Sequence, residues 1–487
     1  MKKKIGVAVA LLAAVVAVVV LVRTALFTSM QMKAQTPPEI LIDAEKAASR
    51  LAGAIRFKTI SHQDPAKFDG KEFLALHTYL ETSFPKLHAA LKKETVNGYS
   101  LLYTWKGSDP GATPVLLMGH LDVVPVEPGT EGAWNYGPFS GDIAEGFIWG
   151  RGSLDIKVVV TGAMEAVEYL LGKGFAPRRT IYLAFGHDEE IGGRGGAMKI
   201  AALLTSRGVQ LEYVLDEGGS ITDGVIAGVS APVALVGIAE KGYLSLDLSA
   251  TGEGGHSSMP PRETTAGIVC TAVSRLQDTP FSSKFGGVVT QMFRYIGPEM
   301  SCGNRIVLSN MWLFGGILKS QLAKSSAMAA VMHTTIAPTM LDGSVKDNIL
   351  PEKATAVVNF RILPGENSTS VIEHVKKAID DPRVSIQPLG YVDEPSSVSD
   401  IDSWAFNSLQ TVISQLFPRV VVSPYLVLGI TDSRNYASIS RQVLRFTPTL
   451  LKADDLARIH GTNERISVLN YEQCVKFFAQ LIMSSNG

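Results

Sequence analysis

The chain has 487 residues, 46% of them hydrophobic and 19% charged, with a formal net charge of −1. That is too much chain for one ordinary domain and ample apolar material for a buried core, which suggests two domains and an extension. No dense basic run follows the first few residues, so nucleic-acid binding has no electrostatic footprint. Three cysteines, Cys270, Cys302 and Cys474, with no CxxC spacing exclude a disulfide framework and a thiolate zinc site. Each is expected to be a buried apolar thiol. Any metal must then be held by His, Asp and Glu.

The first element is an apolar helix. Lys2, Lys3 and Lys4 precede an uncharged run from Ile5 to Val22, closed by Arg23. As a helix this run spans about 27 Å, close to the hydrocarbon thickness of a bilayer. It is longer than the core of a cleavable signal, and Thr24 to Gln35 offers no clear small-x-small site. The expectation is therefore an uncleaved anchor, with secretion after signal cleavage as the alternative. The three lysines favour a cytoplasmic N-terminus and an extracytoplasmic body.

Met30 to Pro38 reads as a polar linker, followed by a helix from about Leu41 to Ile55. Three short apolar runs come next, and each ends in polar residues. They are Val115 to Met118 before Gly119-His120, Thr180 to Phe185 before His187, and Tyr213 to Leu215 before Asp216. A helix over Val158 to Leu171 separates the first two. Short buried strands alternating with helices predict an α/β domain with a mostly parallel sheet, whose chemistry sits beyond the carboxyl ends of the strands.

From about Lys241 the period becomes two: Leu244, Leu246, Leu248 and Ala250, then Ala354, Ala356, Val358, Phe360 and Ile362. This predicts an inserted α+β lid and dimerisation domain. A helix after Pro261 and a long apolar insert lie between its two strands. The expected divisions are 1–35 for anchor and linker, 36–240 and 366–487 for the large domain, and 241–365 for the insertion. Within the insert, from Phe281 to Ala329, a helix over Val307 to Leu322 would align Met311, Phe314 and Leu318 on one stripe. The chain returns at Pro364-Gly365 and ends in a helix near Tyr471 to Met483.

Five polar motifs stand at these strand ends and near the C-terminus. His120 with Asp122 two residues on can bind a metal and hold the ring from behind. In Gly150-Arg151-Gly152-Ser153-Leu154-Asp155 the glycines permit a sharp turn that presents Asp155, which can equally be a helix cap. His187-Asp188-Glu189-Glu190 puts four polar residues directly after a buried strand; adjacent carboxylates can divide metal binding from proton transfer. Asp216-Glu217-Gly218-Gly219 and Ile459-His460-Gly461-Thr462-Asn463-Glu464 complete the set. Alone, each has a structural explanation, such as a cap or a solvated turn.

As an ordered set they resemble the co-catalytic zinc family of carboxypeptidase G, aminoacylase and acetylornithine deacetylase. Trp134 to Gly141, Gly255-His256-Ser257-Ser258-Met259-Pro260-Pro261 and Thr431-Asp432-Ser433-Arg434 are similar to the branch holding carboxypeptidase S and the N-fatty-acyl-amino-acid synthase/hydrolase. The resemblance implies two divalent metal ions, Zn2+ with Co2+ or Mn2+ as alternatives. They would be held by His120, Asp155, Glu190, Asp216 and His460, with Asp155 bridging. Glu189 is then the general base, Asp122 the partner of His120, and His256 a residue reaching the other subunit's site in a homodimer. Arg434 and Arg361 are candidate holders of a substrate carboxylate through paired hydrogen bonds, and Asn348 a candidate oxyanion donor.

The implied reaction is hydrolysis of N-acyl amino acids, including long fatty-acyl ones and in reverse their synthesis. The rival is release of C-terminal amino acids from short peptides. A membrane-tethered binding protein without activity requires loss of Glu189 or a ligand, and none is lost. The apolar stripe in the insert would line an acyl channel or pack against the lid or dimer interface.

Overall fold

The computed structural model describes residues 2–33 and 36–485. The division expected at residue 35 and part of the Met30 to Pro38 linker fall outside the described residues. The helix expected from Leu41 begins at Ala44, because the Asp43 side chain accepts the Lys46 N–H at 3.0 Å and caps it.

The large domain is built on a ten-stranded sheet. Its centre is parallel: Val115–His120 lies between Ile181–Gly186 and Tyr213–Asp216, and Val443–Arg445 runs parallel to the last. Antiparallel pairs extend one edge through Ser100–Trp105 and Lys92–Val96. Side chains alternate between two cores. Val115 and Leu117 pack with the helices Ala44–Ile55, Lys157–Gly172 and Val468–Ser484, whereas Leu116 and Met118 face Ala197–Ser206. A strand covered on both faces reads as a continuous apolar run, which is why these segments were legible. Lys157–Gly172 is buried almost all round, so its apolar residues form no single stripe. His120 pairs with Gly186 in register, so the parallel strands end at one edge and deliver their polar followers to one place.

The inserted domain is a four-stranded antiparallel sheet in the order Thr335–Asp342, Lys353–Ile362, Gly242–Thr251, Ser385–Asp393. Leu244, Leu246, Leu248 and Ala250 stand opposite Phe360, Val358, Ala356 and Ala354, and this face packs on the helices Thr265–Gln277 and Ser368–Ile379. The return expected at Pro364-Gly365 therefore comes only after Asp393. Helix Ser368–Ile379 and strand Ser385–Asp393 belong to the small sheet because their apolar residues complete its core.

The insert also differs from expectation. Val288, Val289, Met292, Phe293, Tyr295 and Ile296 join the large domain's core, not the lid's. The helix expected over Val307 to Leu322 is two helices, Cys302–Ser309 and Met311–Leu322. Asn310 separates them: its amide donates to the Ile306 carbonyl at 3.0 Å, a local bond that competes with helix continuation. Met311 and Leu318 pack against the large core, while Phe314 is half-buried. Of the cysteines only Cys474 is buried; Cys270 and Cys302 are exposed, on outward faces of their helices. The N-terminal helix, Lys2–Leu26, has no buried residue and is the one described helix long and apolar enough to cross a membrane.

Candidate active site

The strand ends bring His120, Asp155, Glu189, Glu190, Glu217 and His460 together. His120 Nε2 lies 3.1 Å from Asp155 Oδ1 and 3.1 Å from Glu217 Oε1. His460 Nε2 lies 3.0 Å from Asp155 Oδ2 and 3.4 Å from Glu190 Oε1. The two oxygens of Asp155 thus face two different imidazoles, each with its own second carboxylate. Behind the first, His120 Nδ1 stands 2.9 Å from the Asp122 carbonyl oxygen and 3.3 Å from Asp122 Oδ1.

Asp216 is not in this cluster. Its carboxylate accepts the Ser433 N–H at 2.8 Å on the other side of the strand end. Glu217 takes the place at His120 because successive side chains leave a strand on opposite faces. In the motif His187-Asp188-Glu189-Glu190 the first two residues are structural. His187 pairs with Ser100 Oγ at 2.6 Å among Phe73 and Tyr99, and Asp188 accepts the Gly195 and Gly196 N–H groups at 2.6 and 2.7 Å. Asp122 accepts the Glu189 and Glu190 N–H groups at 3.2 and 3.1 Å and the Ser61 hydroxyl at 2.6 Å, so one carboxylate orients both the ring and the acidic turn.

Asp155 is held from behind as well. It follows the turn in which Gly150 and Gly152 have φ of +138° and +89°, conformations glycine adopts freely. Glu464, fully buried, accepts the N–H groups of Gly152, Leu154 and Asp155 at 3.0, 2.7 and 3.2 Å. Its other oxygen accepts from Arg151 at 2.6 Å, and Arg151 donates at 3.0 Å to the carbonyl of His460. His460 has φ +60°, unusual for a non-glycine residue, and this clamp sits directly behind it. Glu464 and Arg151 were visible in the motifs, but nothing in a linear pattern joins residues so far apart.

So many acids this close cannot all ionise together. Burial, reinforced by Asp155, pushes Glu217 up to about 8. Burial carries Glu189 well above the ordinary carboxylate range, with Glu217 and Asp432 adding to it, and it raises Glu190. For Asp155 burial acts upward, but hydrogen bonds from His120 and His460 prevail and hold it below its ordinary value. His460 is raised to about 10 by Asp155 and then Glu190. His120 is also raised, its carboxylate neighbours outweighing burial. Each retained proton marks a place where a cation can sit. Glu190 Oε1 is buried and has no hydrogen-bond donor nearer than His460 Nε2 at 3.4 Å, and the triads His120, Asp155, Glu190 and His120, Glu189, Glu217 each converge within 4.8 Å. Imidazole and carboxylate donors in this arrangement fit divalent metals.

The cluster opens into a cleft of about 340 Å³ that also receives Tyr243, Arg361 and Tyr391 from the lid and Arg434 from the large domain. The Arg361 guanidinium lies over the Tyr243 ring, 4.9 Å from its centre. Arg434 donates to the carbonyls of Thr431 and Gly192 at 3.1 and 3.2 Å and faces Asp393 of the lid at 3.5 Å. Neither His256 nor Asn348 lines this cleft. They sit together on the lid: His256 pairs with Ile349 in a two-residue ladder, and the Asn348 carbonyl accepts the Ser257 N–H at 3.1 Å. His256 is exposed, with Nδ1 2.8 Å from Ser258 Oγ.

The chain is similar to known proteins along most of its length. The chain is 42% identical over 470 residues to "Probable carboxypeptidase S-like 2" of Dictyostelium discoideum, covering 94% of this chain and 90% of that one. It is 39% identical over 449 residues to "N-fatty-acyl-amino acid synthase/hydrolase PM20D1.1" of Danio rerio, covering 91% and 86%. In fold it is similar to the M20 family metallo-carboxypeptidase Sso-CP2 from Sulfolobus solfataricus, with a TM-score of 0.65 at 18% identity over 92% of this chain and all of that one. The family model described as peptidase family M20/M25/M40 matches residues 116–484, a span that contains every member of the cluster, and the chain belongs to that family.

Proposed function

We infer that this chain is a two-metal amidohydrolase that cleaves N-acyl amino acids to a carboxylic acid and a free amino acid. The observation that carries this reading is Asp155, whose two oxygens face His120 and His460 at 3.1 and 3.0 Å beside a cleft bearing Arg361 and Arg434. Asp155 would bridge two cations, with His120 and Glu217 on one and His460 and Glu190 on the other. Zinc suits these donors, with cobalt or manganese as alternatives. When bound, such ions polarise an amide carbonyl and lower the pKa of water.

The protein's own groups do the rest. Glu189 takes a proton from the attacking water and returns it to the leaving amine; its buried setting strengthens its hold on the proton in transit. Asp122 keeps Glu189 aimed by binding its backbone N–H. Arg361 forms no ion pair among the described residues and is the freer fork for the substrate carboxylate. Arg434, already engaged with Thr431, Gly192 and Asp393, shapes that end of the cleft. His256 and Asn348, outside the cleft of their own chain, would serve the site of a second copy in a homodimer, His256 helping to stabilise the oxyanion. The N-terminal helix would anchor the chain with its body on the extracytoplasmic side.

A largely apolar cavity of about 400 Å³, lined in part by Val288, Val289, Val331, Leu363 and Leu426, is the candidate receiver of an acyl group, although it shares no lining residue with the cleft. Each methylene buried there contributes about 0.8 kcal/mol. The test offers the zinc-loaded full chain, in detergent micelles, N-acetyl-phenylalanine, N-palmitoyl-phenylalanine and a dipeptide. kcat/KM rising with acyl length supports the reading. Faster dipeptide cleavage would replace it with the carboxypeptidase reading, to which the Dictyostelium relative's name points.

A further inference from the structure

We propose that the helix Met311–Leu322 lies in the interfacial layer of a phospholipid bilayer, with Trp312, Leu313 and Ile317 turned into the acyl chains beside the N-terminal helix. The proposal rests on the reading of Lys2–Leu26 as a membrane span and adds a second, non-spanning contact.

The two faces of Met311–Leu322 differ. Met311, Leu318 and Leu322 point one way and pack against the large core. Trp312, Leu313 and Ile317 point the other way and are 54%, 44% and 65% exposed. On a wheel of 3.6 residues per turn the two groups lie about half a turn apart. Large apolar side chains grouped like this on one face mark a surface that meets something other than water.

The depth of that face is set by contacts with the N-terminal helix. Thr24 Oγ1 stands 2.9 Å from Ser309 Oγ, and Arg23 Nε donates to the Ser309 carbonyl at 3.2 Å. The Asn310 amide donates to Thr24 Oγ1 at 3.2 Å and to the Val20 carbonyl at 3.3 Å. Val20 belongs to the apolar run, about 4.5 Å of helix before Arg23 closes it. Asn310 is therefore fixed at the level where a spanning helix leaves the hydrocarbon, and Met311–Leu322 begins at the next residue. Trp312 donates its indole N–H to Asn310 Oδ1 at 3.3 Å, leaving its ring exposed. A polar edge with an apolar body is the form tryptophan takes at a membrane interface. From Cys302 to Leu322 there are two basic residues, Arg305 and Lys319, and no acidic one, so nothing repels anionic headgroups. Continuity with the apolar helix is what selects a bilayer as the occupant over a soluble partner.

The test reconstitutes the full chain into phosphatidylcholine vesicles with ordinary or brominated acyl chains and compares wild type with Trp312→Phe. Retention in the vesicles after alkaline carbonate establishes the span. With the span established, the wild type should carry a blue-shifted emission component, quenched by the brominated lipid, that Trp312→Phe lacks. Ile317→Asp should reduce that quenching. Equal fractional quenching of wild type and Trp312→Phe in carbonate-resistant vesicles overturns the proposal while leaving the span intact. A blue-shifted Trp312 component that brominated lipid does not quench and that disappears on lowering the protein-to-lipid ratio would assign the face to a second copy and also overturn it. Release by carbonate would remove both readings together.

Discussion

Glu464 reaches neither substrate nor cleft, yet the structure makes it a support of the site. Glu464→Gln keeps the shape and removes the charge. The carboxylate accepts four hydrogen bonds, from Gly152, Leu154, Asp155 and Arg151. The amide that replaces one oxygen must point its own donors at a donor. A hydrogen bond to a charged group contributes about 1.5–3 kcal/mol, and removing one partner of a buried pair costs about 3–5 kcal/mol. Because glutamine keeps one acceptor, a loss of about 3 kcal/mol is expected. Metal affinity should fall too, since the clamp holds the backbones of Asp155 and His460; losing such outer support typically costs about 10- to 100-fold. The assays are urea denaturation of the zinc-loaded protein in detergent, followed by circular dichroism, and competition for zinc with a chromogenic chelator. The companion Arg151→Met should lose less affinity, because it leaves the three backbone bonds to Glu464 in place. A Glu464→Gln protein with the wild-type denaturation midpoint and chelator curve would refute the reasoning, and Asp155 would then be positioned by its own turn alone.

Three further outcomes are expected. Glu189→Gln preserves volume but cannot accept a proton, so turnover should fall by at least about 100-fold while bound metal, measured by atomic emission, stays at the wild-type level. Metal-free protein should lose thermal stability as pH rises. Glu217 binds its proton with a pKa of about 8 when folded against 4.5 unfolded, and His460 about 10 against 6.5, so the native state holds more protons across that window and stability declines through it. Zinc takes the place of those protons, so its stabilising effect in melts at pH 5.5, 7 and 8.5 should grow with pH; a constant effect counts against the cluster as the metal site. If His256 serves the neighbouring subunit, mixing His256→Ala with Glu189→Gln protomers should restore activity, because each mixed dimer then has one site with both groups intact. No recovery after demonstrated subunit exchange would place His256 in its own subunit's site or outside catalysis.

The α/β class, the central strands and the polar residues at their ends were legible in the linear pattern. The reason is that a parallel strand buried on both faces must be apolar throughout, and four polar residues after such a run stand out. Two strands of the inserted sheet were legible for a different reason: Leu244 to Ala250 and Ala354 to Ile362 alternate with the period of a half-buried strand. Choices between neighbouring residues were made by packing. Asp216 and Glu217 are equal candidates in a linear motif, and the opposite facing of successive side chains at one strand end sends Glu217 to His120 and Asp216 to Ser433. Packing also decided ownership of the insert. Val288, Met292 and Phe293 look alike whether they cover the lid or the large domain, and the packing puts them on the latter. Asn310 broke a helix that apolar spacing had drawn unbroken, because its amide finds bonds at Ile306 and on the N-terminal helix that periodicity does not encode. The Arg151–Glu464 clamp joins segments far apart in the chain, and burial gives it its strength; neither the distance nor the burial exists until the chain has folded.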